Sequence, residues 1–189
     1  MAQALEKQKL RPRYQGLRVT REEYLDLEED GFQYDVINGV MQVAPSPNFE
    51  HGSVQGKIFA RFDRYLEKNP IARLSLETDV FLPDGGDPLR PDISLILSEN
   101  LHIVKTHIHG TPELVCEVLN AATRERDLGV KAERYLKCGV KEYWIADPDN
   151  KTLQVWYNAK DHWEKVAGVM EFHSKLLPDL VVTTKEIFG

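Results

Sequence analysis

Asp92 and Glu117 carry the chemistry this chain most plainly offers. Asp92 sits in Arg90-Pro91-Asp92-Ile93-Ser94-Leu95-Ile96-Leu97, and Glu117 in Pro112-Glu113-Leu114-Val115-Cys116-Glu117-Val118-Leu119. Each is a carboxylate at the end of a short apolar strand pattern, where losing water is expensive unless something compensates the charge. Two such groups on neighbouring strands repel, and a divalent cation between them is the simplest remedy. That is the outline of metal-assisted phosphodiester hydrolysis. Asp92 alone also reads as an acidic residue capping a turn after a proline. Glu117 has less of a plain reading, because strand-interior carboxylates are seldom idle.

The elements that must position this pair can be read along the chain. Residues 1–17 lack periodicity and read as a flexible arm, leaving 18–189 as a single domain. Thr20 and Glu23 form a capping-box signature that opens a short helix over 21–28. Asn38-Gly39 between two β-rich runs is a hairpin signal, and Ala44-Pro45-Ser46-Pro47 stops the hairpin. A helix follows over 49–68, with Val54, Ile58, Phe62, Tyr65 and Leu66 as its buried stripe. A strand over 74–82 and a turn over 83–88 precede the Asp92 strand. The polar stretch 98–111 separates it from the Glu117 strand. Thr123 reads as the cap of a second helix over 124–138, ended by Gly139. Strands over 140–146 and 152–157, another near 163–166 and a terminal segment complete one mixed α/β domain.

Bulk composition narrows the classes. The chain has 189 residues, 29% charged and 42% hydrophobic, an ordinary globular balance. No apolar run approaches a membrane span, and the N-terminus is too polar for a secretory signal. The two cysteines, Cys116 and Cys138, lack CxxC spacing, which argues against a disulfide scaffold or zinc site and fits a reducing cytoplasm. A net charge of −6 counts against a strong sequence-independent nucleic-acid binder. It is compatible with an enzyme whose acidic residues hold a metal. The basic cluster in the first 21 residues reads as a solvated terminus.

Several segments together resemble the PD-(D/E)XK nuclease superfamily, and within it the restriction-endonuclease family. They are Pro91-Asp92, Glu117-Val118-Leu119, Asp127…Lys131…Tyr135, Gly139-Val140 and Glu142-Tyr143-Trp144-Ile145-Ala146-Asp147-Pro148, with Tyr34-Asp35-Val36-Ile37-Asn38-Gly39 and Pro47…His51 upstream. The likeness runs in order over roughly residues 20 to 185. It implies a restriction-endonuclease-like α-β-β-β-α-β core with a mixed sheet, an N-terminal β-hairpin and C-terminal strands. It also implies DNA as substrate and Mg²⁺ or Mn²⁺ held by Asp92, Glu117 and the carbonyl of Val118, with Glu77 as a further ligand. A homodimer is the default for such an enzyme.

One departure stands out. The superfamily has lysine two residues after the glutamate, and here that position is Leu119. Leu128, Lys131, Tyr135 and Cys138 share one helical stripe, so Lys131 can bury its stem and reach the carboxylates from the helix. Its alternative is a salt bridge with Asp127 one turn earlier. Glu77 equally reads as an exposed strand residue. His51, Asp35 and Tyr135 are candidate substrate contacts, although a histidine at a helix start also serves in a hydrogen-bonded role. His102, His107 and His109 lie in a polar stretch with no acidic or cysteine partner nearby in sequence and read as loop. Tyr143 and Trp144 read as core. The rival to an active enzyme is a nuclease-fold protein that no longer cleaves and acts by binding, a reading that Leu119 and the acidic net charge favour.

Overall fold

The computed structural model describes residues 11–44 and 46–189. The chain forms two compact units, one ending at Ala44 and the other spanning Pro45–Gly189. Of the arm expected over 1–17, residues 1–10 lie outside the described residues, as does Pro45 in the stop signal. Gly16 N–H donates to Met41 O at 2.8 Å and Met41 N–H to Leu17 O at 2.8 Å, so residues 16–17 pair with the first unit's hairpin.

In that first unit, α1 (Arg21–Leu25) is opened by the reciprocal Thr20–Glu23 capping box. It ends three residues earlier than the sequence pattern suggests. Asp26, Glu28, Glu29 and Asp30 follow, and acidic groups at a helix C-terminus oppose its dipole. Strands β1 (Tyr34–Ile37) and β2 (Val40–Val43) pair antiparallel with Ile37 opposite Val40. Asn38 and Gly39 take φ of 52° and 72°, which a tight two-residue turn of this hand requires. Val19, Tyr34, Val36 and Met41 form this unit's small core.

The second unit begins with α2 (Phe49–Lys68), whose cap Asn48 accepts from His51 N–H at 2.8 Å. Val54, Ile58, Phe62 and Leu66 are buried as the helical spacing requires, and Tyr65 packs against them partly buried. The strand expected over 74–82 is two. β3 (Ala72–Leu76) pairs with the sheet, Glu77 then turns the chain out at φ 45°, and β4 (Val80–Phe81) lies elsewhere. Next come β5 (Ile93–Leu97), a 3₁₀ turn over Ser98–Ile103, and β6 (Ile108–His109), which pairs in parallel with β4.

β7 (Leu114–Val118) is buried along its whole length. The helix expected over 124–138 is present but irregular: α3 (Arg124–Arg126), a π-turn over Asp127–Lys131, then α4 (Ala132–Lys137). Thr123 does not cap it, because its hydroxyl donates instead to Asp127 Oδ2 at 2.6 Å. β8 (Glu142–Asp147), β9 (Thr152–Asn158), β10 (Trp163–Ala167), β11 (Glu171–His173), β12 (Val181–Thr183) and α5 (Thr184–Phe188) follow.

The central sheet has six strands in the order β10-β9-β8-β7-β5-β3. Only β7 and β8 run parallel, as a helical crossover between neighbours demands. Because residues alternate along each strand, the sheet has two apolar faces. One packs α2 and the C-terminal segment through Leu95, Cys116, Trp144 and Val155. The other packs α4 through Ile96, Val115, Tyr143 and Tyr135. The restriction-endonuclease-like architecture, with its hairpin before and strands after, is therefore the observed one. No helix among the described residues is long and apolar enough to cross a membrane.

Candidate active site

Register brings the two carboxylates together. β5 and β7 are antiparallel with Ile93 opposite Cys116. One step outward along that register, Asp92 stands opposite Glu117 at the strand ends. Leu76 pairs with Ile93, and Glu77 N–H donates to Asp92 O at 3.2 Å, so Glu77 flanks Asp92 on the other side.

Asp92 is held at both oxygens. Oδ2 accepts from Val118 N–H at 2.6 Å, and Oδ1 lies 3.2 Å from His51 Nε2. The helix α2 supplies a second polar residue one turn on. Gln55 Nε2 donates to Asp92 O at 3.0 Å and to Glu77 Oε1 at 3.3 Å. His51 and Gln55 are both buried and stand at i, i+4, so one face of the first turns of α2 addresses the site. The hydrogen bond to Asp92 raises the His51 pKa, outweighing burial. His51 Nδ1 is buried without a partner.

Glu117 is more deeply enclosed. Lys131 Nζ and Tyr135 OH each donate to its Oε1 at 2.9 Å. The lysine is 5% exposed and the glutamate 3%. Lys131 Nζ also lies 2.8 Å from Asp127 Oδ1. Lys131 thus meets the strand carboxylate and also pairs with Asp127. Burial pushes Glu117 up to about 8 despite Lys131, and the charges of Asp127 and Asp92 act in the same direction. Burial works against the Lys131 ammonium, but Glu117 and Asp127 outweigh it and raise its pKa. Tyr135 is fully enclosed, and burial followed by Glu117 holds its phenol well above the usual range.

Other sequence candidates fall where geometry makes them less central. Glu77 is half-buried just past the end of β3 and bonded to Gln55, neither a plain exposed strand residue nor a group facing Glu117. Val118 meets Asp92 through its N–H. Asp35 belongs to the first unit, on β1 opposite Gln42. Of the three histidines in the polar stretch, His107 has an acidic neighbour from a distant part of the chain. His107 Nδ1 lies 3.8 Å from Asp79 Oδ2, but Asp79 is engaged by Arg90 at 2.7 Å, and His109 stacks on Phe81. Tyr143 and Trp144 are core, as expected.

Sequence reasoning passed over Gln55, the bond from Thr123 to Asp127 and the inward placement of Asp127. Gln55 had a signal: it interrupts the apolar stripe of α2 four residues after His51. Thr123 and Asp127 also stand at i, i+4 from each other, with Lys131 four further on.

The donor set can be matched to an ion. Among the described residues, no three His, Cys, Asp or Glu side chains converge as a metal cage. Two neighbouring carboxylates are nonetheless what Mg²⁺ commonly takes from a protein, water and substrate phosphate filling the rest. Burial is the chief cause of the upward push on Glu117, and the neighbouring charges of Asp127 and Asp92 add to it. Asp92 and Glu117 fit a hard divalent cation.

Comparison with known proteins gives a consistent frame. The sequence profile of the Uma2 family, described as "Putative restriction endonuclease", matches residues 21–185. Among solved structures, the fold is similar to the crystal structure of "a putative nuclease belonging to DUF820" from Anabaena variabilis. The TM-score is 0.75 at 21% identity, over 90% of this chain and 97% of that one. A search of curated proteins finds no match.

Proposed function

Since this chain belongs to the Uma2 family of restriction-endonuclease-like proteins, we propose that it is a divalent-metal-dependent endonuclease that hydrolyses phosphodiester bonds in DNA. The observation carrying this reading is the Lys131 ammonium 2.9 Å from Glu117, on the strand beside Asp92. A nuclease lacking the strand lysine needs a cation from elsewhere, and the helix delivers one. A buried pair of this kind is weak evidence for stability compared with an apolar replacement, which supports a functional reading of Lys131.

Asp92 and Glu117 would hold Mg²⁺ or Mn²⁺, with the main-chain carbonyl of Val118 and the nearby Glu77 as further oxygen donors. When bound, such an ion polarises the phosphate and lowers the pKa of a coordinated water. The side chains around it have separate tasks. His51 and Val118 N–H fix the two oxygens of Asp92, and Tyr135 fixes Oε1 of Glu117. Lys131 places positive charge where negative charge develops at phosphorus, or orients the attacking water. His51 remains a candidate substrate contact beside its role in holding Asp92. Cutting both strands would employ a homodimer, and the working compartment would be the cytoplasm.

The test is incubation of the full chain with supercoiled plasmid in Mg²⁺, Mn²⁺ or EDTA. Nicked or linear product in either metal and none in EDTA is the expected result. Intact plasmid in both metals, with DNA retained in a gel shift, would favour the binding-only reading instead.

A further inference from the structure

Lys131 faces a second carboxylate that the mechanism above does not use. Asp127 is 2% exposed, lies 2.8 Å from Lys131 Nζ, and sits at the start of the π-turn that ends at Lys131. Widened turns of this kind interrupt regular helical bonding and are frequent at functional sites. Asp127 is also fixed independently of the lysine. Thr123 Oγ1 donates to its Oδ2 at 2.6 Å, and Tyr143 OH to its main-chain carbonyl at 2.9 Å.

Charge accounting says what this arrangement does. Asp92, Glu117 and Asp127, ionised, bring three negative charges against the one positive charge of Lys131. If Lys131 faced Glu117 alone, it would cancel half the charge of the metal-holding pair. Shared with Asp127, its charge is already balanced, and the pair keeps its full attraction for a divalent ion.

We propose that Asp127 is a positioning residue that neutralises and anchors Lys131, so that the charge of Lys131 is not subtracted from what Asp92 and Glu117 present to the metal. This rests on the metal-binding reading of Asp92 and Glu117. Neither Asp127 nor Thr123 need touch the ion.

The experiment is Mn²⁺ titration by calorimetry at constant pH, on the full chain and three variants: Asp127→Asn, Lys131→Met and the double variant. Asp127→Asn leaves the Lys131 charge to act on Glu117 alone, so it is expected to weaken Mn²⁺ binding by about tenfold or more. Lys131→Met is expected to tighten it. The double variant, which restores the net charge, is expected to return within about threefold of the parent. A purely structural role for Asp127 does not produce this rescue. If Asp127→Asn alone does not fold, the same tenfold step is read between Lys131→Met and the double variant. Unchanged affinity in Asp127→Asn, or no recovery in the double variant, overturns the proposal while leaving the metal site standing. Absence of Mn²⁺ binding by the parent protein removes both.

Discussion

Glu117 is expected to be a liability for folding in the absence of metal, and the size of that liability can be worked from its surroundings. Its ordinary pKa of 4.5 is pushed to about 8, chiefly by burial. The folded protein thus holds the proton more tightly than the unfolded chain does. The stability associated with the neutral carboxyl is fully present below about pH 4.5 and is lost as pH rises through 8. A shift of this span, at about 1.4 kcal/mol per pH unit, corresponds to at most ~5 kcal/mol. Relaxation and water entry reduce it to roughly 2–5 kcal/mol. Glu117→Gln keeps an acceptor for Lys131 and Tyr135 but cannot ionise. In EDTA, the variant and parent should have similar Tm near pH 5. By pH 9 the variant should be more stable by about 5–15 °C, taking about 2–4 °C per kcal/mol for a chain of this size. Thermal melts from pH 5 to 9 read this directly. Parallel curves across that range, or a parent that gains on the variant as pH rises, would refute the reasoning.

Two further expectations concern the frame. Glu142 is 1% exposed and accepts from Trp144 Nε1, Ser174 Oγ and the N–H groups of Lys175 and Leu176, tying the C-terminal segment to β8. Glu142→Ala strands those donors and should cost about 3–5 kcal/mol in urea denaturation, whereas Glu142→Gln should cost less. A loss below 1 kcal/mol in Glu142→Ala counts against that role. Gly86 lies under the Arg134 guanidinium, where an added Cβ would meet Nη2 at 2.6 Å. Gly86→Ala should therefore displace Arg134 from its paired hydrogen bonds to Asp84, at 2.8 and 3.0 Å, and cost about 1 kcal/mol. In an Arg134→Ala background the same change should cost close to nothing, which a double-mutant cycle measures.

Much of this architecture is legible locally, for stated reasons. The Asn38-Gly39 turn is visible because few residues adopt two successive positive φ angles. The α2 stripe is visible because burial repeats at helical spacing. Asp92 and Glu117 are visible because charge inside apolar strands is rare. The break at Glu77 is not visible, since a left-handed glutamate carries no local signal and is set by its bonds to Asp92 and Gln55. The π-turn is hidden for a similar reason. Asp127 and Lys131 look like an ordinary i, i+4 surface pair until the sheet buries both. Thr123 looks like a cap until Asp127 claims its hydroxyl. Glu142 reads as one more strand residue because Ser174, Lys175 and Leu176, which it ties to β8, lie more than 30 positions downstream.

The central claim is that Lys131 supplies from the helix what Leu119 leaves out of the strand, beside a metal held by Asp92 and Glu117. The most direct measurement is plasmid nicking in Mg²⁺ and Mn²⁺ by the parent, Asp92→Ala and Lys131→Ala, each first shown folded by its thermal melt. Metal-dependent nicking by the parent, lost in both variants, is the predicted result. Nicking that survives in a folded Lys131→Ala would contradict the account.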